Sequence, residues 1–460
     1  MTYRIRGRRT ATLAAALAVC AAWMATGPTA RAEEPAPATA PAAATTAATS
    51  TATAPATATT AATPTPTATS AGPLTTATRF YVDPGSRAAR QAAADEQAGD
   101  TAGAATMARL AQLPQATWFT GGSAAQVRDE AAALLGRARA AGQVPVIVAY
   151  DIPGRDCGSY SAGGAPSSAA YREWIDGLAT GIGAGPALVV LEPDGLALLP
   201  KDCAGSVDPT GVLTAARLAD LDYAVTALKA AGPGTAVYLD GGNNKWRGVG
   251  DMARRLVDAG VGHADGFSLN VSNFLPTDRL DRYGTWVAKC VWFATRGPEW
   301  ARGHTDWCAG QYYSSAAPND GRPGNAVDPD DPSTWHWTDA WYDQAVGNPA
   351  TTELPHFVVD TSRNGLGPWT PAPGAYSGDA ETWCNPPGRG IGPRPTADTG
   401  VPLADAYLYV KVVGESDGSC TRGTGGTTDP EYGIVDPPAG AWWPELAHTL
   451  ARNARPALLP

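Results

Sequence analysis

The chain has 460 residues, with 44 acids against 34 bases and a formal net charge of −10. That balance excludes a phosphate-backbone partner, which needs a positive footprint, so no nucleic acid is expected. Beyond the first thirty residues nothing approaches the ~18 consecutive apolar residues of a membrane span, and the composition is odd in carrying 15 Trp against 6 Phe.

Residues 1–32 read as a signal peptide. Arg4, Arg6, Arg8 and Arg9 precede an apolar run from Ala11 to Met24, and Ala30-Arg31-Ala32 fits a small-residue cleavage site. Secretion is therefore expected, with Arg8-Arg9 leaving twin-arginine export open. Residues 33–78 are almost wholly Ala, Thr and Pro. Such a stretch buries too little apolar area to offset chain entropy, which predicts a disordered linker.

From Arg79 to the end the composition is that of one globular domain. Apolar runs predict strands at Val144–Tyr150, Ala187–Leu191, Ala236–Leu239, Gly266–Val271, Phe357–Val359 and Ala406–Val412. Between them, helical periodicity fills Ala124–Ala141, Ala169–Ile182, Thr210–Ala231 and Val249–Ala259. Short, fully apolar strands alternating with helices indicate an α/β fold with a parallel sheet covered on both faces. A closed or nearly closed β/α barrel is the first choice and a doubly wound open sheet the second.

Six cysteines lie beyond the leader: Cys157, Cys203, Cys290, Cys308, Cys384 and Cys420. An even count in an exported chain suggests disulfides, and six allow 15 pairings. The neighbour-in-sequence set 157–203, 290–308 and 384–420 is expected, because each bridge would pin one long loop. No spacing is C-x-x-C, so neither a metal site nor a redox motif is predicted.

The residues at the strand ends are more informative. Asp156, Glu192, Asp194, Asp240, Asp360, Glu415 and Asp417 all stand at or just past strand ends, with Asn270 in the fourth of the six predicted strands. One such acid is usually a helix cap or turn residue. Parallel strands, however, gather these ends on one rim, where barrels and open α/β sheets place their chemistry. Like charges packed together raise at least one pKa, which is how a carboxyl stays protonated to act as a general acid. Paired acids beside excess tryptophan point to glycoside cleavage, since indole faces stack on sugar rings and an acid–base pair is that reaction's minimum equipment.

The segments Arg155-Asp156-Cys157, Val189 to Asp194, Tyr238-Leu239-Asp240, Asn270 to Asn273, Val359 to Gly365, Trp383-Cys384-Asn385 and Lys411 to Gly418 resemble glycoside hydrolase family 6, the cellobiohydrolases and endo-β-1,4-glucanases. The resemblance implies a distorted parallel β/α barrel, a TIM-like variant, that hydrolyses cellulose and cello-oligosaccharides with inversion, without a cofactor and as a monomer. Asp194 looks like the proton donor, Asp156 like the neighbour that raises its pKa, and Asp417 stands at the position of the family's proposed base. Lys411 and Glu415 look like sugar-hydroxyl contacts. Trp118, Tyr150, Ser161, Asp240, Asn243, Trp246, Asn270 and Trp383 complete the expected substrate-binding set. Two positions depart from the family's pattern. Asp240-Gly241-Gly242-Asn243 stands where Asp-Ala-Gly-His is common, and Ala162 where a serine often holds the attacking water, with Ser161 adjacent.

Between Asn273 and His356 lie Cys290, Cys308 and seven tryptophans: Trp286, Trp292, Trp300, Trp307, Trp335, Trp337 and Trp341. A disulfide-pinned, tryptophan-rich loop over the cleft, with Trp383 to Cys420 as the opposite wall, would form a tunnel. That predicts an exocellobiohydrolase releasing cellobiose from non-reducing ends; an endoglucanase is the alternative. A non-catalytic polysaccharide-binding protein is a further rival, motivated by Asn243 and Ala162. Gly414-Glu415-Ser416-Asp417-Gly418 formally matches the G-x-S-x-G nucleophile elbow of an esterase, with Asp436 and His448 following in hydrolase order. The glycine-rich sequence after Ser416 is, however, unfit for the helix such an elbow needs. Asp328 to Asp331 is interrupted by Pro329 and followed by Pro332, which favours a solvated loop over a calcium site.

Overall fold

Seven short strands line up side by side in the order of the sequence, all parallel. They are β1 (Thr117–Phe119), β2 (Val146–Ala149), β3 (Ala187–Leu191), β4 (Thr235–Asp240), β5 (Gly266–Leu269), β6 (His356–Asp360) and β7 (Ala404–Leu408). The computed structural model describes residues 74–205, 207–313 and 326–459. The predicted leader and the linker as far as residue 73 lie outside them, and Leu74 already packs against the barrel core.

Side-chain alternation explains why the strands are largely apolar on both faces. Val146, Val148, Leu188, Val190, Ala236, Tyr238, Val358, Ala406 and Leu408 point one way and fill the barrel interior. Their alternates, including Ile147, Val189, Leu191, Val237, Leu239, Phe267 and Phe357, face the helices. Among the described residues β1 and β7 do not pair as strands. Single bonds span the gap instead: Ala116 N–H donates to the Tyr409 carbonyl at 2.9 Å and Trp118 Nε1 to the Val410 carbonyl at 2.7 Å.

The helices are α1 (Arg87–Ala98), α2 (Thr101–Leu110), α3 (Ala124–Ala140), α4 (Ser168–Ile182), α5 (Val212–Ala231), α6 (Val249–Asp258), α7 (Thr277–Thr295), α8 (His336–Ala345) and α9 (Pro444–Arg452). Helices α3 to α6 match their predicted spans to within two residues. Local chemistry explains some starts: Ser123 and Gln126 form a reciprocal capping box on α3, and Ser167 caps α4.

The segment from Asn273 to His356 departs from expectation. It is built largely around α7 and α8, and its tryptophans pack outward of the barrel. Trp286, Trp335 and Trp337 are buried, while Trp292 and Trp341 pack half-buried against the core. Trp286 and Trp335 lie 5.1 Å apart, with the Arg282 guanidinium over both rings. The large indoles fill the space between the long α7 and its surroundings, a packing role that removes them from the cleft. Trp300 and Trp307 are exposed.

The three predicted disulfides all form, with Cα separations of 5.5, 5.8 and 6.0 Å. Cys157–Cys203 joins the loops after β2 and β3, and Cys384–Cys420 joins those after β6 and β7. Cys290–Cys308 ties α7 to the turn beyond its C-terminus.

Candidate active site

The C-terminal ends of the strands open into one cavity of about 1270 Å³. Several backbones there are strained into the left-handed region: Asp156 (φ 55°), Glu192 (φ 51°), Asp194 (φ 65°), Asn270 (φ 66°) and Ser272 (φ 59°). Non-glycine residues at such angles persist only where surrounding bonds over-determine them, and they cluster at functional sites. Here the bonds are visible. Glu192, directly before Pro193-Asp194, is buried and accepts from the Asp151 and Ile152 N–H groups at 3.0 Å, tying the end of β3 to that of β2. Asp360, at the end of β6, accepts from the N–H groups of Ser272, Ser362, Val410 and Lys411 at 2.9–3.1 Å and so joins β5, β6 and β7.

Asp194, Asp156 and Asp417 all line this cavity, as do Trp118, Tyr150, Ser161, Asn243, Trp246, Trp383, Lys411 and Glu415. The carboxylates differ in their surroundings. Burial first, then the charges of Asp240 and Asp156, raise the Asp194 pKa well above the ordinary value, and Lys411 offsets only part of this. Burial also raises Asp156, against its bond from Ser161 N–H at 2.7 Å and the Arg155 charge. Asp417 is compensated. Burial pushes it up, but Arg363 Nη1 at 2.8 Å, Lys411 Nζ at 3.3 Å and the Asn385 N–H at 2.9 Å overcome this and hold it below the ordinary value. The cavity therefore sets one carboxyl whose affinity for its proton is raised against one whose affinity is lowered.

Two expected substrate contacts lie elsewhere. Asp240 is 1% exposed and sits beneath the floor. Its Oδ2 accepts from the Asp194 N–H at 3.0 Å and the Gly242 N–H at 3.2 Å, and its Oδ1 from Ser268 Oγ at 3.2 Å. Burial raises its pKa to about 7. Asn270 is fully buried, donating to the Asp360 carbonyl at 2.9 Å and accepting from the Leu275 N–H at 3.1 Å. Both shape the floor from below, because their polar atoms are consumed by the backbone turns that expose Asp194 and the end of β5.

Aromatic rings stand along the same cavity. Trp118 meets Tyr150 edge-on at 5.5 Å, and Trp383, 41% exposed, lies 5.9 Å from Tyr160. None of the seven tryptophans between Asn273 and His356 lines the cavity.

Sequence reasoning assigned no role to Arg363 or Asn385, although both fall within the motifs it quoted. Asn385 is fully buried: its Nδ2 donates to Ser416 Oγ, the Gly418 carbonyl and Asp436 Oδ2, while its Oδ1 accepts from the Asp417 N–H at 2.7 Å. A buried arginine close behind a strand-end aspartate is the signal that could have found the counter-ion. Other motifs dissolve. Ser416 is fully buried and donates to the Pro437 carbonyl, whereas His448 pairs with Asp95, so no hydrolase triad forms. Asp330 pairs with Lys245. Cys420, Asp429 and Asp436 offer atoms within 4.8 Å of one another, but Cys420 is consumed by its disulfide and Asp429 by Arg422.

The family model of glycosyl hydrolases family 6 matches residues 75–454. The chain is 35% identical to Endoglucanase 1 of Streptomyces halstedii over 382 residues, covering 83% of this chain and 91% of that protein. It is 34% identical to Endoglucanase A of Cellulomonas fimi, covering 82% of this chain and 61% of that one. A probable 1,4-β-D-glucan cellobiohydrolase C of Aspergillus fumigatus is 29% identical, with coverages of 68% and 62%. Among solved structures, the endoglucanase Cel6 of Mycobacterium tuberculosis, in complex with a thio-linked methyl cellobiosyl-cellobioside, is 34% identical. It superposes with a TM-score of 0.59, covering 83% of this chain and 99% of that one.

Proposed function

The chain belongs to glycosyl hydrolases family 6, and from that premise we propose that it is an inverting β-1,4-glucanase acting outside the cell on cellulose and cello-oligosaccharides. Asp194 donates its proton to the glycosidic oxygen as the bond to the anomeric carbon breaks. A water attacks the opposite face of that carbon, and its proton passes to Asp417, directly or through a further water. Asp156 keeps the Asp194 proton in place until the bond polarises. The observation that carries this reading is the contrast on one cavity between Asp194, raised by burial and three carboxylates, and Asp417, lowered by two cations and an N–H. Trp118, Trp246 and Trp383 present ring faces for glucosyl units, with Lys411 and Glu415 binding hydroxyls.

Cleavage within the chain is the reading we adopt over attack at its ends. The case for a tunnel relied on seven tryptophans that do not line the cavity, five of which pack against the outer core instead, and the relatives of 34–35% identity carry endoglucanase names. Viscometry on soluble cellulose derivatives tests it: viscosity should collapse while few reducing ends have appeared. Slow viscosity loss with cellobiose as almost the sole product would restore chain-end attack.

The acid assignment has its own test. Asp194→Asn should lower kcat on unactivated cellulose by about 10²–10⁴-fold, the usual worth of general acid catalysis. An aryl cellobioside with a good leaving group should lose far less. Equal losses on both substrates would remove Asp194 from the donor role.

A further inference from the structure

The cavity continues past the carboxylates. Beyond Glu415 it runs onto the first turns of α1, where Arg87 and Arg90 line both it and an adjoining groove of about 420 Å³ whose wall includes Trp442. The wall is braced by specific contacts. Arg87 Nε lies 3.3 Å from Glu415 Oε1, and its Nη1 donates to the Gly440 carbonyl at 3.0 Å. Trp442 is half-buried, its Nε1 donating to Gln91 Oε1 at 3.1 Å. Its ring meets the Gly414 backbone so closely that an added Cβ there would lie 2.9 Å from it. Arg90 is exposed, and among the described residues its guanidinium donates to the Gly85 carbonyl, leaving most of its five donors for a ligand. An indole beside planar polar side chains suits a pyranose, which has apolar faces and a rim of hydroxyls.

We propose that the groove between α1 and Trp442 is an additional glucosyl-binding subsite, which holds the part of a β-1,4-glucan that extends past Glu415. Trp442 supplies the apolar surface and Arg90 the hydroxyl contacts, with Arg87 linking this subsite to Glu415. The proposal rests on the β-1,4-glucanase reading and extends it to the length of chain bound.

The test is the position of cleavage in cellopentaose and cellohexaose carrying ¹⁸O at the reducing end, followed by mass spectrometry. In the wild-type protein the extra subsite biases binding toward registers that occupy it. Arg90→Ala should shift the partition between adjacent scissile bonds by about three- to tenfold, the worth of one or two hydrogen bonds. A partition is a ratio of products from the same folded molecules, so it is independent of any loss of folded protein. An unchanged partition overturns the subsite while leaving the glucanase reading intact. Failure of the wild-type protein to cleave either oligosaccharide overturns both.

Discussion

Asp194 and Asp417 face one cavity with opposite electrostatic surroundings, and each can be shifted separately. Arg363→Gln removes one of the two cations beside Asp417. The Asp417 pKa should rise, so the ionised form is lost at a higher pH, and the acidic limb of the kcat/KM profile should move up by about one unit or more. Asp240→Asn acts on the other limb. An asparagine oxygen can accept the Asp194 and Gly242 N–H bonds while its amide donates to Ser268 Oγ, so the turn is retained and only the charge that Asp240 carries above about pH 7 goes. Burial would still hold the Asp194 pKa high, but with its largest like-charge contribution removed the basic limb should move to lower pH. Movement of the same limb in both variants would contradict the assignment. The strand-end acids were legible because parallel strands necessarily gather their ends. The demotion of Asp240 and Asn270 from contact to support was not, because a residue type does not reveal how many backbone N–H groups will claim its oxygens.

The strands and helices that form the regular β/α units were readable from their apolar runs and periodicity; the rest required tertiary context. β1 has three residues, too few for any periodic signal. α7 has Trp, Tyr and Phe on its buried face, and these read equally well as a sugar platform or a core until the packing is seen. Loops are where the elements meet function, and the disulfides pin them unequally. Cys157 stands next to Asp156 in the chain and bridges to the loop after β3, whereas Cys290–Cys308 lies on the outer helical layer. Replacing both Cys157 and Cys203 by Ser should cost about 4 kcal/mol by loop-closure entropy for a 46-residue span. It should also lower kcat in the protein that remains folded, because Asp156 loses its anchor. The Cys290/Cys308 double serine variant should lose less stability, as its span is 18 residues, and retain its kcat. Denaturant titration with active-site-normalised kinetics separates the two effects; equal kcat losses would show that the bridges hold the domain rather than the site.

At the scale of the whole molecule, the buried acids that build the rim make stability depend on pH in an unusual direction. Glu192 and Asp240 are raised mainly by burial, each to about 7. In the unfolded chain both would ionise near the ordinary carboxylate values. Between those values and about 7 the folded state holds protons that the unfolded state has released, so stability falls as pH rises through this window. The slope has a ceiling of about 1.4 kcal/mol per pH unit for each group. Asp417 acts oppositely: its lowered pKa contributes stability above the ordinary carboxylate pKa, and that is lost as pH falls toward its folded value. Self-repulsion in a chain of net charge −10 adds to the loss at higher pH. The thermal midpoint should therefore be greatest near pH 4–5 and decline toward neutrality. Glu192→Gln should flatten that decline, since a neutral side chain in the same place has no proton to lose. Its effect belongs to stability and not to the proton transfer, so the pH profile of kcat should keep its shape. A midpoint that climbs steadily from pH 5 to 7 in the wild-type protein would mean that Glu192 and Asp240 are ionised within the fold and that an unseen cation balances them.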